Sequence, residues 1–288
     1  MVKMILPNLS LNYFIFYFII FTIILFSLNY FLKKKKLFIH QTFNNTHKRK
    51  SSSTVILSGG LFFIIIFIIT NIINGYHLFN LTIYSIFFFG IGYFSDTNNI
   101  TSSKGRLFIM FTISFILIIN SQIIIDKIDI KIIDNFLRFN IISLLFFTTA
   151  LVALINGSNF IDGNNANCSS YFAIIYFILL KYSVDFGFIL EDVIIIKNIL
   201  IGLIVFSLFN LFDKNYLGDN GSYLIGFMSG MFSMYLFTKY DVPSLLLVAL
   251  FIYPIAEVSF SVLRKIIEKR NPLLPDNQHL HQLIEYKV

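Results

Sequence analysis

Ser10-Leu-Asn-Tyr-Phe-Ile-Phe-Tyr-Phe-Ile-Ile-Phe-Thr-Ile-Ile-Leu-Phe-Ser-Leu-Asn-Tyr-Phe-Leu32 runs for 23 residues without a charged side chain and closes on Lys33-Lys-Lys-Lys36. A helix of about 20 apolar residues spans the hydrocarbon core of a bilayer. Lys3 precedes the run, as in a signal peptide, but the run is too long and no small-residue cleavage site follows it. It therefore reads as a retained membrane helix with the lysine block as its stop.

The rest of the chain repeats that pattern. Of its 288 residues, 57% are hydrophobic, 36 are Phe and 13% are charged, against roughly 25% charged in an average soluble protein. The mean hydropathy is +0.78. No soluble core hides this much Ile and Phe, so the class is an all-α, polytopic integral membrane bundle. Helices are the default because lipid leaves no backbone group unpaired, and the runs lack the two-residue alternation of a barrel strand. About nine spans are read, near 10–32, 56–74, 78–94, 106–125, 138–155, 169–190, 193–212, 221–239 and 243–263, with ends uncertain by about 2–4 residues. The span at 169–190 contains Lys181 and Asp185 and is expected to end early; Pro254 marks a kink in the last one.

Charge gives the orientation. Lys and Arg number seven in 33–55, two in 95–106, one in 213–220 and five in 264–288, which is 15 of the 22 in the chain. The positive-inside rule puts these loops in the cytoplasm and the N-terminus outside. The net charge of +7 is then explained by basic loops, and no nucleic-acid partner is expected. The single Cys168 excludes an internal disulfide and a Cys-rich metal site.

The polar departures from this background share the cytoplasmic side. Asn156-Gly-Ser-Asn-Phe-Ile-Asp-Gly-Asn-Asn-Ala-Asn167 carries Asn156, Asn159 and Asp162 at spacing three, and on a helical turn such positions share a face. Amide and carboxylate oxygens are hard ligands of the kind Mg²⁺ prefers; the alternative is a plain interhelical turn. Asp213-Lys-Asn-Tyr-Leu-Gly-Asp-Asn-Gly-Ser222 reads as a tight turn and a helix start. Its free N–H groups suit a phosphate, with Asp219 beside them for a metal; a simple N-cap reads equally well. Ser95-Asp96 opens the loop that ends at Arg106, where Asp96 either caps the following helix or serves a site. His279 and His281 lie in the basic tail, and with no third His or Cys nearby they suit phosphate contact or proton transfer better than zinc.

Taken together and in this order, these stretches resemble the polyprenyl-phosphate N-acetylhexosamine-1-phosphate transferases, from about His47 to Gln282. The resemblance is carried by Thr46-His47 with Leu57-Ser-Gly-Gly60, and by Gly92-Tyr-Phe-Ser-Asp96 through Arg106-Leu107. Asn156-x-x-Asn159-x-x-Asp162-Gly163 and Pro275-Asp276 with His279-Leu-His281 add to it, and Leu217-Gly-Asp-Asn-Gly-Ser222 with Ile225-Gly-Phe227 is the most specific match. The chain departs from that pattern at Ser95, where relatives carry the first of two acids, at Asn165-Ala166, where many repeat Asp-Gly, and at Gln282, where a third His is replaced.

The resemblance implies one transmembrane catalytic domain over 1–288 in a bacterial cytoplasmic membrane, with the active site facing the cytoplasm. It implies transfer of a sugar-1-phosphate from a UDP-amino sugar to undecaprenyl or another polyprenyl phosphate, with release of UMP, as the first membrane step of cell-envelope glycan or O-antigen synthesis. Mg²⁺ or Mn²⁺ is the implied cofactor, held by Asn159 and Asp219; a homodimer is compatible with the class. Asp96, Asp162, Asp219 and His279 take the implied catalytic places, and Arg106, Asn156, Asn165, Ser222 and His281 the substrate-binding ones. Two readings of other classes stay open: a transporter, which needs ionisable groups at the bilayer midplane, and a catalytically silent membrane scaffold.

Overall fold

The computed structural model describes residues 11–40, 55–75, 79–97, 102–123 and 125–271. Helix α1 covers Leu11–Lys35, followed by a two-residue antiparallel ladder of β1 (Ile39–His40) and β2 (Val55–Ile56), in which Ile39 faces Ile56. Then come α2 (Gly59–Ile73), α3 (Phe79–Asp96), α4 (Ser103–Ser121), α5 (Lys131–Leu137), α6 (Asn140–Ile161), α7 (Asn167–Lys181), α8 (Leu190–Leu211), α9 (Gly218–Tyr240), α10 (Ser244–Leu250) and α11 (Ile252–Ile267). Eight of the expected spans coincide with one helix each, and the ninth with the pair α10 and α11. Among the described residues four helices, α1, α4, α6 and α8, are both long and apolar enough to cross a membrane, and the α10–α11 pair makes a fifth if taken as one span. Helix α7 stops at Lys181, short of the expected 190.

Two features differ from the expected all-helical chain. The short helix α5 lies between the fourth and fifth expected spans, where no helix is read, and the β1–β2 ladder precedes α2. The ladder extends sideways, because Tyr216 N–H donates to Ile56 O at 2.8 Å and Gly59 N–H to Tyr216 O at 3.3 Å. The segment leading into α9 is thereby fixed against the start of α2.

The ninth span is broken rather than kinked: α10 and α11 meet at 66°. Pro254 has no N–H and its ring crowds the carbonyl four residues back, which is that of Leu250. In the hydrocarbon an orphaned carbonyl is costly. Tyr171 on α7 resolves this, its hydroxyl donating to Leu250 O at 2.7 Å while accepting from Tyr253 N–H at 3.4 Å. Beyond the break α11 is polar inward and apolar outward. Glu257, Ser261 and Lys265 are buried at intervals of four, while Ile252, Phe260, Leu263, Ile266 and Ile267 are exposed. That is the polarity expected of a helix facing lipid.

Helix α9 forms the centre. From Asn220 to Ser233 every residue is buried, and it packs against α3, α6 and α2. The polar groups within the spans tie helices together. Asn198 on α8 accepts from the Tyr13 hydroxyl at 2.9 Å and donates to Thr70 Oγ1 at 3.2 Å, joining α1, α8 and α2. At the C-terminal end of α9, the fully buried Asp192 carboxylate accepts from Lys239 Nζ at 3.0 Å and from the hydroxyls of Tyr235, at 3.2 Å, and Tyr240. Lys239→Ala removes a cationic partner from this buried carboxylate. Because the Lys239 side chain is 31% exposed, the cost is set below that of a wholly buried pair, at about 2 kcal/mol. The melting temperature in detergent is expected to drop by about 4 °C or more; an unchanged melting curve refutes this.

Candidate functional site

The site is built on the first turn of α9. Gly218 enters it with φ +70°, a left-handed conformation that glycine adopts at little cost. This orients Asp219 toward the ends of α3, α4 and α6. Asp219 Oδ1 accepts from Asn159 Nδ2 at 2.6 Å, and Oδ2 accepts from Ser95 Oγ at 2.6 Å and from the Tyr223 hydroxyl at 3.4 Å. Asn159 Nδ2 also donates to Ser222 Oγ at 3.1 Å. Arg106 Nη1 donates to Ser95 Oγ at 2.5 Å and lies 3.7 Å from Asp219 Oδ2, with its guanidinium over the Tyr223 ring. The Asp219 and Arg106 side chains keep 23% and 25% exposure, so the pair is sheltered yet open to a ligand.

Four of the expected residues, Asn159, Asp219, Ser222 and Arg106, are thus in direct or near contact although they come from three separate helices. Asp96 joins them from the other side. Its Oδ1 accepts from Asp219 N–H at 2.9 Å, and its Oδ2 accepts from Asn220 N–H at 3.1 Å and Asn220 Nδ2 at 2.6 Å. This alters one expectation. The α9 N–H groups at 219 and 220 go to Asp96, and that of Gly221 goes to Leu217 O, so these three are not offered to a phosphate. The helix after Asp96 is instead capped by Ser102, which accepts from Gly105 N–H.

The remaining expected residues lie around this cluster. Asp162 ends α6, its N–H donating to Asn159 O at 3.2 Å. Asn156 shares the helix face of Asn159, but its amide donates to Val152 O at 2.8 Å and approaches Met110 Sδ at 3.7 Å. Asn165 reaches across to the loop before α9, donating to Asp213 Oδ1 at 2.7 Å. Ala166 sits at φ +59°, a left-handed position that costs a residue with a Cβ about 1–2 kcal/mol. Asn210 holds this turn by accepting from Ala166 N–H at 2.5 Å and donating to Asn215 O at 2.6 Å. His279 and His281 lie outside the described residues, as do Thr46 and His47.

Sequence reasoning missed Ser95, Tyr223, Asn210 and Asn220. Ser95 reads as a lost acid, yet its hydroxyl links Arg106 to Asp219. Asn220 occupies the variable place within Gly-Asp-x-Gly-Ser, and its polarity at the start of a buried helix was the available signal.

The residue types are those a hard divalent cation takes, a carboxylate, an amide and a hydroxyl with no sulfur or imidazole among them, but here Asn159 and Ser95 donate to Asp219, so the Asn159 amide has to turn its Oδ1 inward to act as a ligand. Among the described residues no group of three or more His, Cys, Asp or Glu side chains is close enough to hold a metal alone.

A helical membrane bundle with a carboxylate, amide and guanidinium gathered where several helices end defines an integral membrane protein with a charged polar cluster at one end. The family model described as Glycosyl transferase family 4 matches residues 78–237, a stretch that runs from α3 through α8 and takes in α9 as far as Phe237. The chain belongs to this family. It is 29% identical over 146 residues to the undecaprenyl-phosphate alpha-N-acetylglucosaminyl 1-phosphate transferase of Thermotoga maritima, a match covering 50% of the chain and 44% of that protein. It is 31% identical over 165 residues to the decaprenyl-phosphate N-acetylglucosaminephosphotransferase of Mycolicibacterium smegmatis, covering 49% of the chain and 40% of that protein. Each match thus spans less than half the length of the curated relative.

Proposed function

We propose that this protein moves a sugar-1-phosphate, carrying an N-acetylhexosamine, from a UDP-sugar to a polyprenyl phosphate in a bacterial cytoplasmic membrane. UMP leaves, and a polyprenyl-diphospho-sugar remains as the first lipid-linked intermediate of a cell-envelope glycan. The observation that carries this reading is the contact of Asp219 with Asn159, Ser95 and Arg106, four side chains drawn from four helices. Both named relatives are hexosamine-1-phosphate transferases acting on polyprenyl phosphates, which supports the same reading.

Two anions must meet for this reaction, so the main task is to offset their repulsion and to align them. Asp219 and Asn159 would hold Mg²⁺ or Mn²⁺, which supplies charge neutralisation to the diphosphate. Arg106, held over Tyr223 and against Ser95, presents a fixed positive charge to the phosphate whose oxygens become more negative as the bond to UMP breaks. Ser222, buried next to Asn159, orients that amide toward the substrate side. Asp162 and Asn165 order the loop between α6 and α7, where the nucleotide is placed; Asn156 braces the same face. His279 and His281 close the site over the sugar-nucleotide phosphates. A polyprenyl acceptor explains why these groups sit at the end of a lipid-facing bundle, and the exposed apolar helix faces are where its tail lies.

Of the polar groups within the spans that a transporter reading would use, Asn198 is engaged between α1, α2 and α8. Purified protein in detergent, given a UDP-N-acetylhexosamine, is expected to release UMP when undecaprenyl phosphate and Mg²⁺ are both present. Release without the lipid, or none with both, overturns the proposal.

A further inference from the structure

The first N–H groups of a helix have no partner within it and are usually capped by a side chain just before them. At α9 that place belongs to Leu217, which has no polar side chain and makes no such bond. The cap comes instead from another helix. Both carboxylate oxygens of Asp96, at the end of α3, are engaged by α9 through the three bonds to Asp219 N–H, Asn220 N–H and Asn220 Nδ2. Asn220 is fully buried, and its Oδ1 accepts from Gly60 N–H at the start of α2, at 2.9 Å. One amide therefore joins the ends of α2, α3 and α9, one residue away from Asp219.

We propose that Asp96 and Asn220 form a positioning pair: Asp96 caps α9 from outside, and Asn220 locks it, so that Asp219 is held at the site. This inference rests on the transferase reading and gives Asp96 a positioning task in place of the catalytic one the resemblance implies. The physical basis is the fit of a carboxylate to a helix N-terminus, where negative charge and acceptor oxygens are both favoured. The close approach of the backbones enforces it: a Cβ at Gly60 would lie 2.3 Å from Asn220 Oδ1.

A reciprocal exchange tests the pair. In Asp96→Asn the cap loses an acceptor, and in Asn220→Asp two carboxylates face each other. In the double variant D96N/N220D the side-chain interaction is re-formed with its polarity reversed, since the new amide at 96 donates to the new carboxylate at 220 and still accepts from Asp219 N–H; of the three original bonds only that from the backbone N–H of residue 220 is not replaced. Full-length protein in detergent is compared by thermal melting, by the UMP-release rate and by the Mg²⁺ concentration giving half the maximal rate. Each single variant is expected to lose about tenfold or more in rate, to need more Mg²⁺ and to melt lower, as for a group supporting a ligand. The double variant is expected to recover all three to within a few-fold of wild type. If D96N/N220D melts like wild type but stays as slow as Asp96→Asn, the charge is needed at position 96 itself and the proposal fails. It fails too if neither melting nor rate recovers. A wild-type protein with no UMP release would instead count against the transferase reading, with the melting curves still testing the pair.

Discussion

Asp219→Ala is expected to reduce sugar-phosphate transfer by about 10³-fold or more, on the scale of removing a preorganised group facing the charge of a transition state. The side chain is the meeting point of the site: Asn159, Ser95 and Tyr223 donate to it, and Arg106 lies 3.7 Å away. Truncation takes away the carboxylate that would hold the cation and frees Arg106 from its restraint. Asp219→Asn separates charge from shape, since the amide keeps an acceptor oxygen and nearly the same volume. Its rate is expected to stay close to that of the alanine variant, with melting close to wild type. Full activity in either variant would remove Asp219 from the metal-binding role.

The second large effect concerns a residue with no chemistry. Gly92 lies on α3 where that helix crosses the start of α9, and a Cβ there would lie 2.4 Å from Asn220 Cα and 2.5 Å from both Asn220 N and Asp219 O. These are backbone atoms, so no rotamer change relieves the clash and one helix must shift. Overpacking of this kind costs about 1–3 kcal/mol, and a misplacement of about 1 Å at a reacting group costs on the order of 10²-fold in rate. Gly92→Ala is therefore expected to retain its helical circular dichroism, melt lower and lose about 100-fold in transfer. Gly90, two residues earlier on α3, has nothing within 4 Å of an added Cβ, and Gly90→Ala should behave like wild type. Equal behaviour of the two variants would contradict the close crossing.

The helical order was legible because apolar run length is a direct consequence of bilayer thickness. Pro254 marked the bend, but the sequence does not show that Tyr171, 83 positions earlier, would satisfy the freed backbone. The β1–β2 ladder was not legible, since two-residue strands carry no periodicity. At the site, Asn159, Asp219, Ser222 and Arg106 were identified by motif, and the structure brings them together. Ser95 was read as a missing acid because composition records loss of charge, whereas its hydroxyl still bridges two charged groups. Asp96 was recognised as a candidate cap, but of the helix that follows it; only the packing of α3 on α9 shows which helix it caps. Asn156 follows the same three-residue spacing as Asn159, yet its hydrogen bond returns to its own helix at Val152, because spacing fixes the face and not the partner.

The inward polar stripe of α11 also determines which changes that segment can accept. Each added residue turns the remainder of a helix by about 100°, as follows from 3.6 residues per turn. Two residues inserted near Pro254 would carry Glu257 round to the hydrocarbon, at about 2.5–3.5 kcal/mol for a charge at the bilayer centre. They would at the same time drive Phe260 and Leu263 against polar neighbours. Evolution of this stretch is accordingly constrained in length more tightly than in composition: side chains can be exchanged like for like, whereas insertions and deletions misalign the whole helix.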